Sequence, residues 1–502
     1  MISLLLLQSI GTMPALMAGP LADPIPSDPV PVEAPTTEAG SESARITSAP
    51  GMASSLSFWS SAEDDGPWRL DDALGTPDWL TIDGHQRTRY ESHDGRFQLN
   101  GREHGHIFAL RTSLRARAVH DAWTGTVEIL DSRQLDAPDD AVLNTTTVNA
   151  LELQQISVAH TSKGVIHPDD ELTFTVGRRT LDLGSRRFVA RNRFRNTINA
   201  FTGVHGLWDT GSGETWEAFW FMPVRRLPRQ ASLVHDNEQA ADDEFEEVQL
   251  VGLFGSIDDV VGESDLEVFL FGLDETDAPD LATRNRKLWT LGSRLNREPA
   301  VGKYHSTIEA AVQFGESRSS TNPANTTDLD HLAGFLHMSV GRRFEGESRP
   351  TVTLLFDYAS GDSDPTDGDN NRFDTLYGAR RFEFGPTGIF GAFARSNLVT
   401  PGVRFSVDPT SDTNLMLAYR VYRLASDKDA WTTSGLSDPS GAAGSSLGSM
   451  AEFRLRWDIA PKNLRHECGV AYFAAGSFVD RAPNATDQGD TVYGYVGTTF
   501  SS

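Results

Sequence analysis

Arginine recurs on one face of segments whose other face is apolar. In 451–460, alternation sets Phe453, Leu455, Trp457 and Ile459 on one side and Glu452, Arg454, Arg456 and Asp458 on the other, because successive side chains of a β-strand point to opposite faces. The pattern returns in 111–119, where Arg111, Ser113, Arg115 and Arg117 oppose Leu114, Ala116 and Ala118. A soluble sandwich would bury the apolar face and hydrate the charges. A membrane barrel turns the apolar face to lipid and the charges to a wet lumen. The rest of the chain favours the barrel.

The 502 residues are only 38% hydrophobic, and beyond the N-terminus no apolar run approaches the roughly 18 residues of a membrane helix. A barrel needs no such run, since only alternate residues meet lipid. From Trp68 to Phe500 alternating segments are separated by turn-rich gaps. Strands are expected over 148–160, 172–181, 197–209, 215–224, 247–257, 266–273, 287–295, 307–314, 331–344 and 351–360. The series continues at 388–397, 402–407, 415–424, 451–459, 469–478 and 491–500, with weaker strands at 86–92, 111–119 and 124–130. The count is close to 18, and it predicts an all-β fold, a single 18-stranded antiparallel transmembrane β-barrel over 68–502, wide enough for an aqueous channel. Trp208, Trp216, Trp220, Trp289, Tyr419, Trp457, Tyr493 and Tyr495 fall in strands or near their ends, where interfacial girdles are expected.

Residues 1–22 read as a secretory signal peptide and 23–67, rich in Pro, Ser, Thr and Glu, as a disordered linker. Net charge is −26, with 70 acids against 44 bases, which argues against nucleic acid or an anionic membrane surface as partner. The acids crowd into expected loops at 63–72, 242–247 and 362–369, and the bases into strands. The single cysteine, Cys468, leaves no intramolecular disulfide framework. No cofactor, metal or enzymatic activity is expected. Asp362, Asp364, Asp367 and Asp369 miss the EF-hand spacing. The G-x-S-x-G of 444–448 lacks a strand-to-helix elbow, and His466–Glu467 lacks the second histidine of a zinc helix.

The densest basic region is 177–195, which holds Arg178, Arg179, Arg186, Arg187, Arg191, Arg193 and Arg195 with only Asp182 opposing. Guanidinium groups stay charged and bind carboxylates in a bidentate fork. An arginine facing the bilayer midplane costs about 2–4 kcal/mol, so the region is expected in the lumen. The alternative is a solvated loop binding lipopolysaccharide phosphates.

The stretch FTVGRRTLDLGSRRFV…NTINAFTGV resembles a segment of the bacterial alginate export outer-membrane proteins. So do FDYASGDSDPTDGDNNRFDT (356–375) and RLASDKDAW (423–431), with Asn397 matching an asparagine between them. Thr202 stands where the family usually has Asp, Arg179 replaces Gln, and Arg380 and Arg381 replace a "TGH". The resemblance implies an 18-stranded barrel that passes an anionic polysaccharide passively across the outer membrane, through an arginine-lined constriction with loops gating its ends. Strand phase puts Arg111, Arg115, Arg117, Arg179, Arg286, Arg294, Arg343, Arg420, Arg454 and Arg456 on the polar face. Glu128, Glu309, Asp357 and Asp458 accompany them to hold them by charge-assisted bonds. The candidate pore residues are Arg111, Arg115, Arg117, Arg178, Arg179, Arg187, Arg193, Arg195, Arg343, Asn397, Arg420, Arg454, Arg456 and Asp458. The expected partners are an anionic polysaccharide, outer-membrane lipid and periplasmic secretion proteins, with the barrel monomeric. Three rivals remain: an anion-selective porin taking up acidic oligosaccharides, a barrel enzyme such as a lipase, and a soluble β-rich binding protein.

Overall fold

The structure is a computed structural model that describes residues 68–502 other than 140, 142, 279 and 280. The expected signal peptide and linker, 1–67, lie outside the described residues. Twenty strands are present among the described residues: β1 (Leu80–Asp94), β2 (His104–His120), β3 (Trp123–Leu135), β4 (Asn149–Lys163), β5 (Glu171–Arg179), β6 (Phe201–Asp209), β7 (Glu214–Arg225), β8 (Asp243–Glu244), β9 (Val248–Ile257), β10 (Asp265–Glu275), β11 (Lys287–Arg297), β12 (Tyr304–Ser317), β13 (Leu329–Arg343), β14 (Thr351–Ala359), β15 (Asp369–Asn370), β16 (Leu398–Thr410), β17 (Thr413–Arg423), β18 (Ser446–Ala460), β19 (Leu464–Ala475) and β20 (Thr491–Ser501). The two-residue strands β8 and β15 sit in loops, and the other eighteen form the wall. Each wall strand pairs antiparallel with its neighbours, and β1 pairs with β20 from His85↔Ser501 to Asp94↔Val492, so the sheet closes with no free edge.

Period-two burial runs through the wall. In β18, Glu452 and Arg456 are buried while Phe453 and Trp457 are exposed. In β2, Arg111, Ser113 and Arg115 are buried and Leu114 is exposed. The exposed outer face carries Leu253, Leu291, Ile308, Leu332, Leu354 and Leu417, an apolar belt suited to lipid. Trp216, Trp220, Trp289, Tyr419 and Trp457 are exposed on it, as expected of girdle residues. Tyr493 and Tyr495 are not: both point inward, 0% and 5% exposed. Their parity on β20 is that of buried Thr491, opposite to outward Val492 and Val496.

One end of the barrel has tight turns, such as 121–122 between β2 and β3 and 411–412 between β16 and β17, and the other has long loops. Short turns belong to the periplasmic end of such barrels and long loops to the outside. Two of the long loops, 180–200 and 360–397, fold into the barrel. The strand expected at 388–397 is part of the second of these. Gly388 and Gly391 adopt φ of 43° and 54° there, which breaks any extended run. A Cβ at Gly388 would collide with the Glu91 carboxylate.

The interior is not uniformly polar, which corrects the simple expectation of charge inside and grease outside. Phe219, Phe221, Phe254, Phe269, Phe271 and Phe335 point inward from β7, β9, β10 and β13. Against them pack Leu181, Leu183, Phe188 and Val189 of one inward loop and Phe373 and Leu376 of the other. The Phe188 ring lies 5.0 Å from Phe269, 5.6 Å from Phe335 and 6.1 Å from Phe373. Each buried phenylalanine contributes roughly 1.5–3 kcal/mol, so this half of the interior is the core that seats the loops. A second apolar cluster under the outer loops includes Phe97, Phe393, Tyr422, Trp431 and Phe473.

Candidate functional site

The two inward loops interlock. The backbone N–H of Ala190 donates to the Tyr377 carbonyl (3.1 Å), that of Tyr377 to Phe188 (2.9 Å) and that of Ala379 to Arg186 (2.7 Å). Gly378 makes this approach possible, because a side chain there would collide with the Arg187 carbonyl. Together the loops reach the wall on all sides. Loop 180–200 meets β1, β2 and β3, and its arginines supply both cations and carbonyls. Arg87 and Arg111 each donate to the Arg193 carbonyl, at 2.7 and 2.8 Å, and the Arg195 carbonyl also accepts from both. Arg191 is paired with Glu128 at 2.6 Å. Loop 360–397 meets β18 and β20 through Arg381, which pairs with Glu452 and donates to the Tyr495 hydroxyl at 3.0 Å. It meets β1 where the Ile389 N–H donates to Glu91 at 2.9 Å, and the residue preceding β11 where Asp374 pairs with Arg286 at 3.0 Å.

The expected pore residues divide into groups. Arg111, Arg193 and Arg195 come together with Arg87 at the β1–β3 wall. Arg187 bridges Glu309 of β12 and Glu383 of the second loop, the latter at 2.6 Å. Arg420 pairs with Asp357 at 2.8 Å, and His337 meets the other carboxylate oxygen at 2.7 Å. Arg456 pairs with Glu467, which also accepts from the Tyr495 hydroxyl, and Arg454 donates to Asn414 at 3.3 Å. Arg179 contacts His205 at 2.7 Å. Arg115 pairs with Asp83 at 3.1 Å, near the turn end, and Arg117 lies half-buried beyond it.

Others stand apart. Arg343 pairs with Asp408 at 2.7 Å and Asp458 with Arg465 at 2.6 Å, both at the turn end. Arg178 is held at the outer end by Glu152 (2.6 Å) and Glu244 (2.7 Å). Asn397 clamps one outer loop to another: its amide donates to the carbonyls of Ser426 and Ala430 and its oxygen accepts from the Ser426 N–H.

Sequence reasoning missed Arg87, Arg89, Glu91, Glu383, Arg395 and Arg404. Arg87, Arg89 and Glu91 alternate along β1, inside the weaker strand expected at 86–92, but the facing side carries polar Gln86 and Thr88 beside Tyr90, so no continuous apolar face draws attention to them. Arg395 fell inside the wrongly expected strand. Glu383 lies on one turn of helix, Arg381–Phe384, too short for a periodic signal.

What this arrangement can do chemically is hold and exchange carboxylates. The interior is a lattice of guanidinium–carboxylate pairs, and charge-assisted pairs of this kind are strong and directional.

Solved structures similar in fold are outer-membrane proteins of Pseudomonas aeruginosa. OccK3 (OpdO) aligns with a TM-score of 0.53 at 13% identity, over 84% of this chain and 95% of that one. OpdK, solved with vanillate, aligns with a TM-score of 0.55 at 12% identity, over 84% and 98%. OccD3 (OpdP) aligns with a TM-score of 0.54 at 12% identity, over 84% and 91%. No curated protein sequence matches the chain. The Alginate export family model matches residues 78–492, nearly the whole barrel. With the closed 18-stranded wall and its lipid-facing belt, that match makes this protein an outer-membrane channel, and the chain belongs to the Alginate export family.

Proposed function

We propose that the barrel is a passive export channel for an anionic exopolysaccharide, alginate or a close relative, led through its interior by arginines. The observation that carries this reading is the concentration of guanidinium groups on the inner wall and inner loops of a chain whose net charge is −26. Arg117, Arg294 and Arg454 are half-buried in the turn-side half of the wall, with Arg404 near mid-strand. The outer loops instead carry acids, among them Asp242, Asp243, Glu244, Glu246 and Glu247, and Asp362, Asp364, Asp367 and Asp369. A positive interior facing the periplasm raises the local polyanion concentration there and disfavours cations. Carboxylates beside the arginines keep each contact weak and exchangeable, as conduction requires.

A second reading is uptake of small acidic oligosaccharides or other carboxylates by an anion-selective porin. The interlocked loops favour it, since they cross the interior and bond to wall strands on several sides, a path better matched to short chains. Reversing charge at Arg454→Glu and Arg456→Glu tests what both readings share. In planar bilayers the double variant is expected to lose anion preference, and unchanged selectivity in a folded barrel would remove the arginine-led path. Competition of long polyuronate against short oligouronates for block of the current then separates export from uptake.

A further inference from the structure

The plug formed by the two loops places one of its own carboxylates between two arginines. Glu383 receives the Arg187 guanidinium on one oxygen, at 2.6 Å, and the Arg395 guanidinium on the other. Arg187 and Arg395 are 6% and 0% exposed, and Glu383 is 4% exposed. Arg395 also donates to the backbone carbonyls of Ala379 and, at 3.3 Å, Arg187, so its guanidinium is held by the backbone of both loops. The second carboxylate on Arg187, Glu309, belongs to β12 and is itself held by Ser185 at 2.9 Å. Glu309 is therefore part of the wall, whereas Glu383 rides on a loop. Arg186 and Arg404, both half-buried, lie within Coulombic reach of Glu383 and extend the positive surface up to it.

We propose that Arg187 and Arg395 form a carboxylate-binding site that Glu383 occupies at rest, and that a uronate carboxylate arriving from the periplasm takes its place. The proposal rests on the polyanion reading above. Removing Glu383 with nothing in exchange would take from buried Arg395 its ion pair with that carboxylate, and losing one partner of a buried pair is strongly unfavourable. Exchanging it for a carboxylate of the permeant preserves the charge balance, while Glu383 moves to water. The loop segment that carries Glu383 then loses its ion pair to loop 180–200, so the ligand that needs the passage is the one that loosens the plug. A neutral sugar cannot make the exchange.

The test is calorimetric titration of the full-length barrel in detergent with trigalacturonate, with maltotriose as the neutral control. Glu383→Gln removes the internal competitor while keeping the side chain's shape, and is expected to tighten trigalacturonate binding at least tenfold with maltotriose unaffected. Adding Arg395→Gln is expected to abolish that gain. Glu383→Asp retracts the carboxylate by one methylene, should give an intermediate gain, and serves if the glutamine variant fails to fold. Equal or weaker binding by a variant that retains heat-modifiable gel mobility overturns the proposal. Absence of uronate binding by wild type and variants alike overturns the polyanion reading itself.

Discussion

Each guanidinium drawn out of water inside the wall needs oxygens to replace those it loses. The chain supplies them in two ways: carboxylates, as in Arg191–Glu128 and Arg420–Asp357, and loop carbonyls, as where Arg87 and Arg111 converge on Arg193 and Arg195. The carbonyl-bound arginines fix backbone, so some of the basic residues here serve as structural ties. Asn196 does the same with its side-chain amide, which faces the carbonyls of Leu110, Arg133 and Thr147 at 2.9–3.0 Å while its backbone carbonyl accepts from the Ser132 hydroxyl. Asn196→Ala is expected to cost about 1–3 kcal/mol. The loss should appear as faster amide exchange in 180–200 with the wall strands unchanged; equal loosening of β2 and β3 would mean the loop is not separately tethered.

At the scale of elements, alternation made most of the wall legible. The expected strands at 215–224, 247–257 and 287–295 lie within two residues of β7, β9 and β11. It gave only part of a strand where the outward face is mixed, as in β1, whose expected segment 86–92 lies inside Leu80–Asp94, and it failed where a local run such as 388–397 looks extended but folds inward. Tertiary contact decides those cases: Gly388 must sit against Glu91, and Phe390 against Phe97 and Tyr493. The outer loop 226–247, beyond the membrane-spanning strands, carries a pH response that no motif announces. Burial, reinforced by Glu152, pushes the Asp242 carboxyl up to about 7, although it accepts from Leu227 N–H (2.9 Å) and Asn149 (2.8 Å). An unfolded chain releases this proton near pH about 3.9, while the folded loop keeps it to about 7. Stability contributed by the loop therefore falls as pH rises across that window. Amide exchange in 226–247, corrected for its intrinsic rate, should be better protected at pH 5 than at pH 8, and Asp242→Asn should flatten the difference.

At the scale of the molecule, the closed sheet turns one face to lipid and the other to a packed interior. Leu291 is 56% exposed on the outer face of β11, and Leu291→Arg is expected to destabilise the barrel by about 2–4 kcal/mol if that site lies near the bilayer midplane. Urea unfolding in lipid vesicles measures it, and a neutral result would mean this face does not meet hydrocarbon. The sequence by itself determined the class, a strand count close to the observed eighteen and the inward direction of Arg111, Arg115, Arg420, Arg454 and Arg456, because each follows from a period of two that any neighbouring strand must respect. It also carried the family, through segments whose residues could be matched one by one. Only the tertiary structure decided that loops 180–200 and 360–397 interlock inside the wall, that phenylalanines seat them there, and that Glu383 lies between Arg187 and Arg395. Those contacts join residues some 200 positions apart, and irregular backbone has no repeat from which such a meeting can be read.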